Sequence, residues 1–188
     1  SAIQWTVNWN GNGGTVNNNG SSTYSVTFNA GTSVTAPYAT RSGYVHTGWR
    51  YPASGDIWYL ASPGGTFTPD SNNITMYATW QIAPPSTPSF TAITTNRTDG
   101  INMTWGAVTG ATSYEIWYGN SAPSDSLSTP DFYPGNVTTF TDTSVSAGSY
   151  RTYYIRARNA GGASSWSSGA TGYRDYVRYT VTWSANGG

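Results

Sequence analysis

Residues Met103–Tyr118 read MTWGAVTGATSYEIWY, and this stretch decides the fold. It holds the end of one short strand, Ile101–Trp105, a turn marked by Gly106 and Gly110, and a second strand, Ser113–Tyr118. Tyr114, Ile116 and Tyr118 alternate with Glu115 and Trp117, so the two sets lie on opposite faces, the period of a strand with one buried side. Working outward, further strands are expected at Ser89–Thr95, Thr138–Thr141, Tyr150–Asn159 and Ala163–Gly172. Short strands at this spacing, separated by Gly, Asn and Pro, are the pattern of a β-sandwich.

The composition agrees. Aromatic residues make up 15% of the 188, with 9 Trp and 15 Tyr, and Ser, Thr, Asn and Gly fill much of the rest. β-Branched and aromatic residues favour strands, and Gly, Asn and Pro punctuate them. The expected class is all-β, with α+β as the alternative for the N-terminal part. Eight basic residues, all Arg, balance eight acids, and only 9% of the chain is charged. Binding driven by phosphate neutralisation needs a basic surface that this sequence lacks. Without Cys there is no disulfide framework, thiolate metal site or Cys nucleophile. The longest apolar run, Ile57–Ala61, is too short for a membrane-spanning helix. No signal or transit pattern is read, and the chain is expected to be a piece of something longer.

The sequence repeats itself at long range. Trp5–Gly14 is WTVNWNGNGG and Tyr179–Gly188 is YTVTWSANGG, identical at six of ten positions and offset by 174 residues. One full period of a tandem array, followed by the first strand of the next period, is therefore expected. The segment Ile82–Pro88, IAPPSTP, carries three prolines and cannot continue a sheet ladder. The expected organisation is a module over 1–81, a Pro-rich linker over 82–88, a second module over 89–174, and a truncated repeat over 175–188. That truncated strand, with Tyr179, Val181 and Trp183 on one face, is expected either to fray or to pair with another copy, so self-association through it is one of two expectations.

In the first module, Trp5, Val7 and Trp9 face one way and Thr6, Asn8 and Asn10 the other, and Asn10–Gly14 has the residues of a hairpin turn. Strands are expected at Tyr24–Phe28, Val45–Tyr51, Ile57–Leu60 and Ile74–Gln81. Trp5–Gly14, then SGYVHTGW (Ser42–Trp49), then ITMYATW (Ile74–Trp80) resemble, in order and spacing, the internalin-type B-repeat, or Listeria–Bacteroides repeat. The resemblance implies a small β-grasp-like fold in secreted or wall-anchored bacterial surface proteins. His46, the single His, stands where that family carries Phe; with no acid at motif spacing, it is expected as a packed imidazole hydrogen-bonded to backbone.

In the second module, Met103–Tyr118 together with Ser146–Ser167, SAGSYRTYYIRARNAGGASSWS, resembles a fibronectin type III domain. The resemblance implies that Trp105 is a core residue, that Tyr114 and Ile116 face the core with Tyr153, Ile155 and Ala157, and that their two strands are neighbours. It also implies a corner Tyr where this chain has Arg151, with Tyr150 and Tyr153 close by. Glu115, Trp117, Tyr154, Arg156 and Arg158 would then form an outer ladder of ion-pair and cation–π contacts. Two expectations attach to it: a self-satisfied ladder or contact with a neighbouring module, or else a glycan- or protein-binding patch centred on Trp117. Trp58 and Trp166 are further candidate stacking platforms, or residues buried between modules.

Catalytic chemistry is not suggested. The seven Asp and one Glu form no evident carboxylate pair, no nucleophile elbow occurs, and Asp70–Asn73 reads as a turn in preference to a calcium loop. No cofactor and no metal site are expected. The expected function is a non-enzymatic structural repeat of an extracellular bacterial adhesin, stalk or filament. A carbohydrate- or host-protein-binding module is the alternative, and an accessory region of a secreted glycan-degrading enzyme is a third reading.

Overall fold

The computed structural model describes residues 2–51, 58–124 and 129–184, with Trp58, Tyr59 and Leu60 described by backbone alone. The chain is all-β: every regular element among these residues is a strand. It divides into two units, Ser1–Ala83 and Pro84–Gly188.

The first unit contains β1 (Gln4–Asn10), β2 (Thr15–Val16), β3 (Thr23–Asn29), β4 (Val34–Thr35), β5 (Ala39–Thr40), β6 (Tyr44–Tyr51), β7 (Trp58–Ala61), β8 (Thr66–Phe67) and β9 (Ile74–Ile82). Its main sheet has the order β3-β1-β9-β6-β7. β1 and β9 run parallel at its centre, and the other neighbours are antiparallel. Period-two alternation places Val7 and Trp9 of β1 with Ile74, Met76 and Ala78 of β9 in one buried cluster around Trp49. Trp9 meets Trp49 edge-on at 4.9 Å, and the Trp49 indole donates to the Pro37 carbonyl at 2.8 Å.

The turn after β1 has the positive φ its residues favour, 47° at Asn12 and 87° at Gly13. It does not make the expected hairpin. β2 pairs with β5, while β1 takes β3 on one side and β9 on the other. Burying Val7 and Trp9 in mid-sheet outweighs the local pairing. Gly14 lets this turn close against the sheet: a Cβ there would sit 2.5 Å from both Trp80 Cζ2 and the Thr40 carbonyl oxygen.

The second unit is an immunoglobulin-like β-sandwich. It contains β10 (Phe90–Ile93), β11 (Ile101–Trp105), β12 (Ser113–Tyr118), β13 (Phe132–Gly135), β14 (Thr139–Asp142), β15 (Ser149–Asn159), β16 (Gly162–Ala163) and β17 (Ala170–Arg174). One sheet is β10-β11-β14; the other is β13-β12-β15, with β16 and β17 both pairing along β15. Ile101, Met103 and Trp105 from the first sheet pack on Tyr114, Ile116, Tyr153, Ile155 and Ala157 from the second.

Two expectations are corrected here. β13 was not anticipated, because Pro134 and Gly135 read as turn residues; Pro is tolerated there because β13 is an edge strand with one partner, β12. Ala163–Gly172 is not one strand: the chain leaves the ladder after Ala163 and rejoins it at Ala170. Residues 176–184, expected as a strand either frayed or paired with another copy, form no strand within this chain among the described residues. Tyr179, Val181 and Trp183 alternate as a strand would, yet Trp183 is 92% exposed and the segment meets no ladder partner among the described residues. Strand propensity alone does not hold an extended segment; pairing and burial do.

Candidate functional site

β12 and β15 lie side by side with Glu115 opposite Arg156, Trp117 opposite Tyr154 and Ser113 opposite Arg158. The expected ladder residues are therefore neighbours on the face away from the sandwich core. The Glu115 carboxylate accepts from Arg156 Nε at 2.6 Å and from Arg158 Nη1 at 3.1 Å. The Trp117 indole donates to the Ser121 carbonyl at 3.2 Å, and the Tyr154 hydroxyl donates to that of Asn120 at 3.3 Å. Both rings thus tie the segment after β12 back to the sheet.

The ladder is not an open surface: its charged members pair with one another, and two of them are buried. Glu115 is 5% exposed and Arg156 3%, while Trp117 and Tyr154 are half-buried. The cover is Trp166, whose ring lies 4.4 Å from the Arg156 guanidinium carbon. Its position follows from two serines. Ser164 gives its N–H to the Ala157 carbonyl and accepts the Ala157 N–H on its hydroxyl. Ser167 makes the same two bonds to Ile155. Three residues on one side thus span two on the other, and the surplus throws Trp166 out of the ladder and onto Arg156. The spacing Ser164-x-x-Ser167 around a Trp was the signal in the sequence, and a period-two reading passes over it. The side chain of Trp58, the other platform considered, lies outside the described residues.

A second buried charge sits where β14 ends. Asp142 is 1% exposed and accepts from the Tyr153 hydroxyl at 2.7 Å, from Arg151 Nη1 at 2.6 Å, and from the Ser144 amide and hydroxyl. Burial alone would raise its pKa; the bonds from Ser144, Tyr153 and Arg151 outweigh that and hold the carboxyl below the usual range. The same burial, with Asp142 as acceptor, pushes the Tyr153 phenol far up. Arg151 and Tyr153 thus share the corner through a carboxylate; Tyr150 is exposed and stacks on Tyr173 at 4.5 Å.

In the first unit His46 is half-buried between Trp49 and Trp80. Its Nδ1 accepts the Ala39 N–H at 3.2 Å, so the proton resides on Nε2, which donates to the Gly48 carbonyl at 3.0 Å. Burial pulls its pKa down, against the opposing pull of Gly48. Asn72 and Asn73 are tied to β1 rather than turned to a cation: Asn72 Oδ1 accepts from the Thr6 amide and Asn73 Oδ1 from the Asn8 side chain. No group of three or more His, Asp or Glu side chains suited to a metal occurs among the described residues.

No protein-family model matches the chain, and no curated protein sequence matches it. Among solved structures it is similar to an Fn3-like protein from Clostridium thermocellum, at 26% identity and TM-score 0.37, over 51% of this chain and all of that one. It is similar also to the domain FN3tt mut, at 21% identity and TM-score 0.35, over 48% of this chain and 99% of that one. The FN1–FN3 domains of chicken CNTN1 match at 13% identity and TM-score 0.32, over 60% of this chain and 39% of theirs.

Proposed function

We infer that this chain is a non-enzymatic structural segment of an extracellular bacterial surface protein, a repeat of an adhesin, stalk or filament that spaces or assembles modules. The observation that carries the reading is the closed state of the outer ladder. Glu115 is held by two guanidiniums, Arg156 is capped by Trp166, and Asp142 is saturated by four donors. Groups buried and paired this way stabilise a module and are poorly placed to meet a substrate. The low charge and lack of Lys suit a neutral, protease-resistant exterior.

Self-association through Tyr179, Val181 and Trp183 belongs to the same reading. An exposed alternating segment that resembles β1 offers backbone and an apolar face to another copy. Solution scattering over a concentration series tests it: association that Val181→Asp abolishes supports it, and a monomer at every concentration contradicts it.

Trp117, half-buried at the rim of the ladder, favours the second reading, a carbohydrate- or protein-binding module. A neutral-glycan array separates the two: binding lost in Trp117→Ala supports the binding module, and silence supports the structural one.

A further inference from the structure

The second unit pairs its charges internally. Arg97, Arg151, Arg156, Arg158 and Arg178 each meet a carboxylate, and Arg174 donates to the carbonyls of Thr98, Thr143 and Val145. The first unit does not. Its two guanidiniums, Arg41 and Arg50, line one shallow cleft with Asn12, Tyr44 and Trp80, and neither pairs with a carboxylate among the described residues. Asp70, the one acid of this unit among the described residues, lies in the turn before β9 and accepts from the Ser71 hydroxyl.

The cleft is held in place from several sides. Ser42 and Gly43 form a two-residue turn that bridges Arg41 to Tyr44, and the Arg41 guanidinium lies 4.0 Å from the Tyr44 ring centroid. On its other flank is the Gly13 turn, where a Cβ would come 3.4 Å from Arg41 Cζ. The Trp80 indole is fixed by donating to the carbonyls of Gly11 and Asn12. Arg50 enters from mid-sheet, opposite Tyr77 of β9, and its Nε is buried with no hydrogen-bond acceptor among the described residues. A buried N–H on a cation without an acceptor is a costly state that a bound ligand would relieve.

We propose that this cleft binds the oxyanion of an acidic saccharide, a carboxylate or a sulfate, between Arg41 and Arg50, with Tyr44 and Trp80 walling the sugar ring. A guanidinium presents paired N–H donors at the spacing of two oxyanion oxygens, and Arg50 Nε supplies a donor already stripped of water. Aromatic walls beside cations select a ring-bearing anion over a bare inorganic one. The site lies in the first unit and does not depend on the ladder of the second.

The test is titration of the intact chain, followed through its Trp indole NMR signals, with an oligogalacturonate, a heparin-derived sulfated oligosaccharide, a neutral galactose oligomer and inorganic sulfate. At least one acidic sugar is expected to shift the Trp80 indole resonance, and added salt weakens that binding. Which one does so identifies the oxyanion. Arg50→Gln and Arg41→Gln are each expected to lower affinity by about tenfold or more, the usual effect of removing a charge-assisted bond. Arg97→Gln leaves it unchanged. Should Arg50→Gln fail to fold, Arg41→Gln at its surface turn decides. Failure of both acidic sugars to shift Trp80, equal binding of the neutral oligomer, inorganic sulfate as tight as the sugars, or full affinity in Arg41→Gln would each overturn the proposal.

Discussion

The Arg156 guanidinium lies beneath Trp166, 4.4 Å from ring to charge, while its Nε is bound to Glu115 on the neighbouring strand. A carboxylate, a cation and an indole thus form one stack on the outer face of β12 and β15, and its interior members are almost fully removed from water. Buried ion pairs are weak stabilisers compared with apolar packing, but breaking one is expensive because the remaining charge stays buried.

Glu115→Gln should therefore destabilise the second unit by about 3–5 kcal/mol, since Arg156 would be left buried against a neutral amide. Arg158→Gln should cost less than about 1 kcal/mol, because its side chain is 44% exposed and water replaces the pair. Chemical denaturation of the two variants measures the contrast.

Ser164→Ala and Ser167→Ala should each cost about 1–3 kcal/mol by leaving the buried N–H of Ala157 or Ile155 without an acceptor. Hydrogen exchange reads this locally: the Ala157 amide should lose protection in the first variant and the Ile155 amide in the second.

The two units should respond to acid in different windows. His46 has a folded pKa below its unfolded one, so the native first unit binds fewer protons and loses stability as pH falls from about 6.5 to the folded value. The added proton would fall on Nδ1, facing the Ala39 N–H. Asp142 is also depressed, so its contribution to the second unit persists to about pH 4 and is lost as pH falls through the folded value. Thermal melts of each unit's Trp signals against pH should show both slopes, and His46→Phe should flatten only the first.

Gly14→Ala should destabilise the first unit by about 1–3 kcal/mol, since the new methyl meets the Thr40 carbonyl and the anchored Trp80 ring at once. Gly20→Ala, in open space but at positive φ, should cost only about 1 kcal/mol. Thermal unfolding separates the steric cost from the conformational one.

How far the sequence could be read depends on which forces set each element. The central strands were legible because alternation such as Tyr114, Ile116 and Tyr118 against Glu115 and Trp117 is imposed by burial and is visible residue by residue. β13 was not, since Pro134 and Gly135 mask an edge strand with local turn chemistry. The outer ladder was legible as neighbours, through the alternation of β12 and β15. Its burial was not, because Trp166 reaches Arg156 through serine hydroxyls that replace ladder contacts, an irregularity of one residue. The cleft of Arg41 and Arg50 could not be read at all: it joins a turn to mid-sheet, and only the fold brings these cations together.

On this reading the outer ladder serves stability rather than recognition, a claim that denaturation of Trp166→Ala tests most directly. The expected result is a loss of about 1–3 kcal/mol, from the uncovered Arg156 and the lost ring contact, with the Glu115–Arg156 pair becoming sensitive to salt. Unchanged stability together with loss of a bound neutral glycan would contradict it.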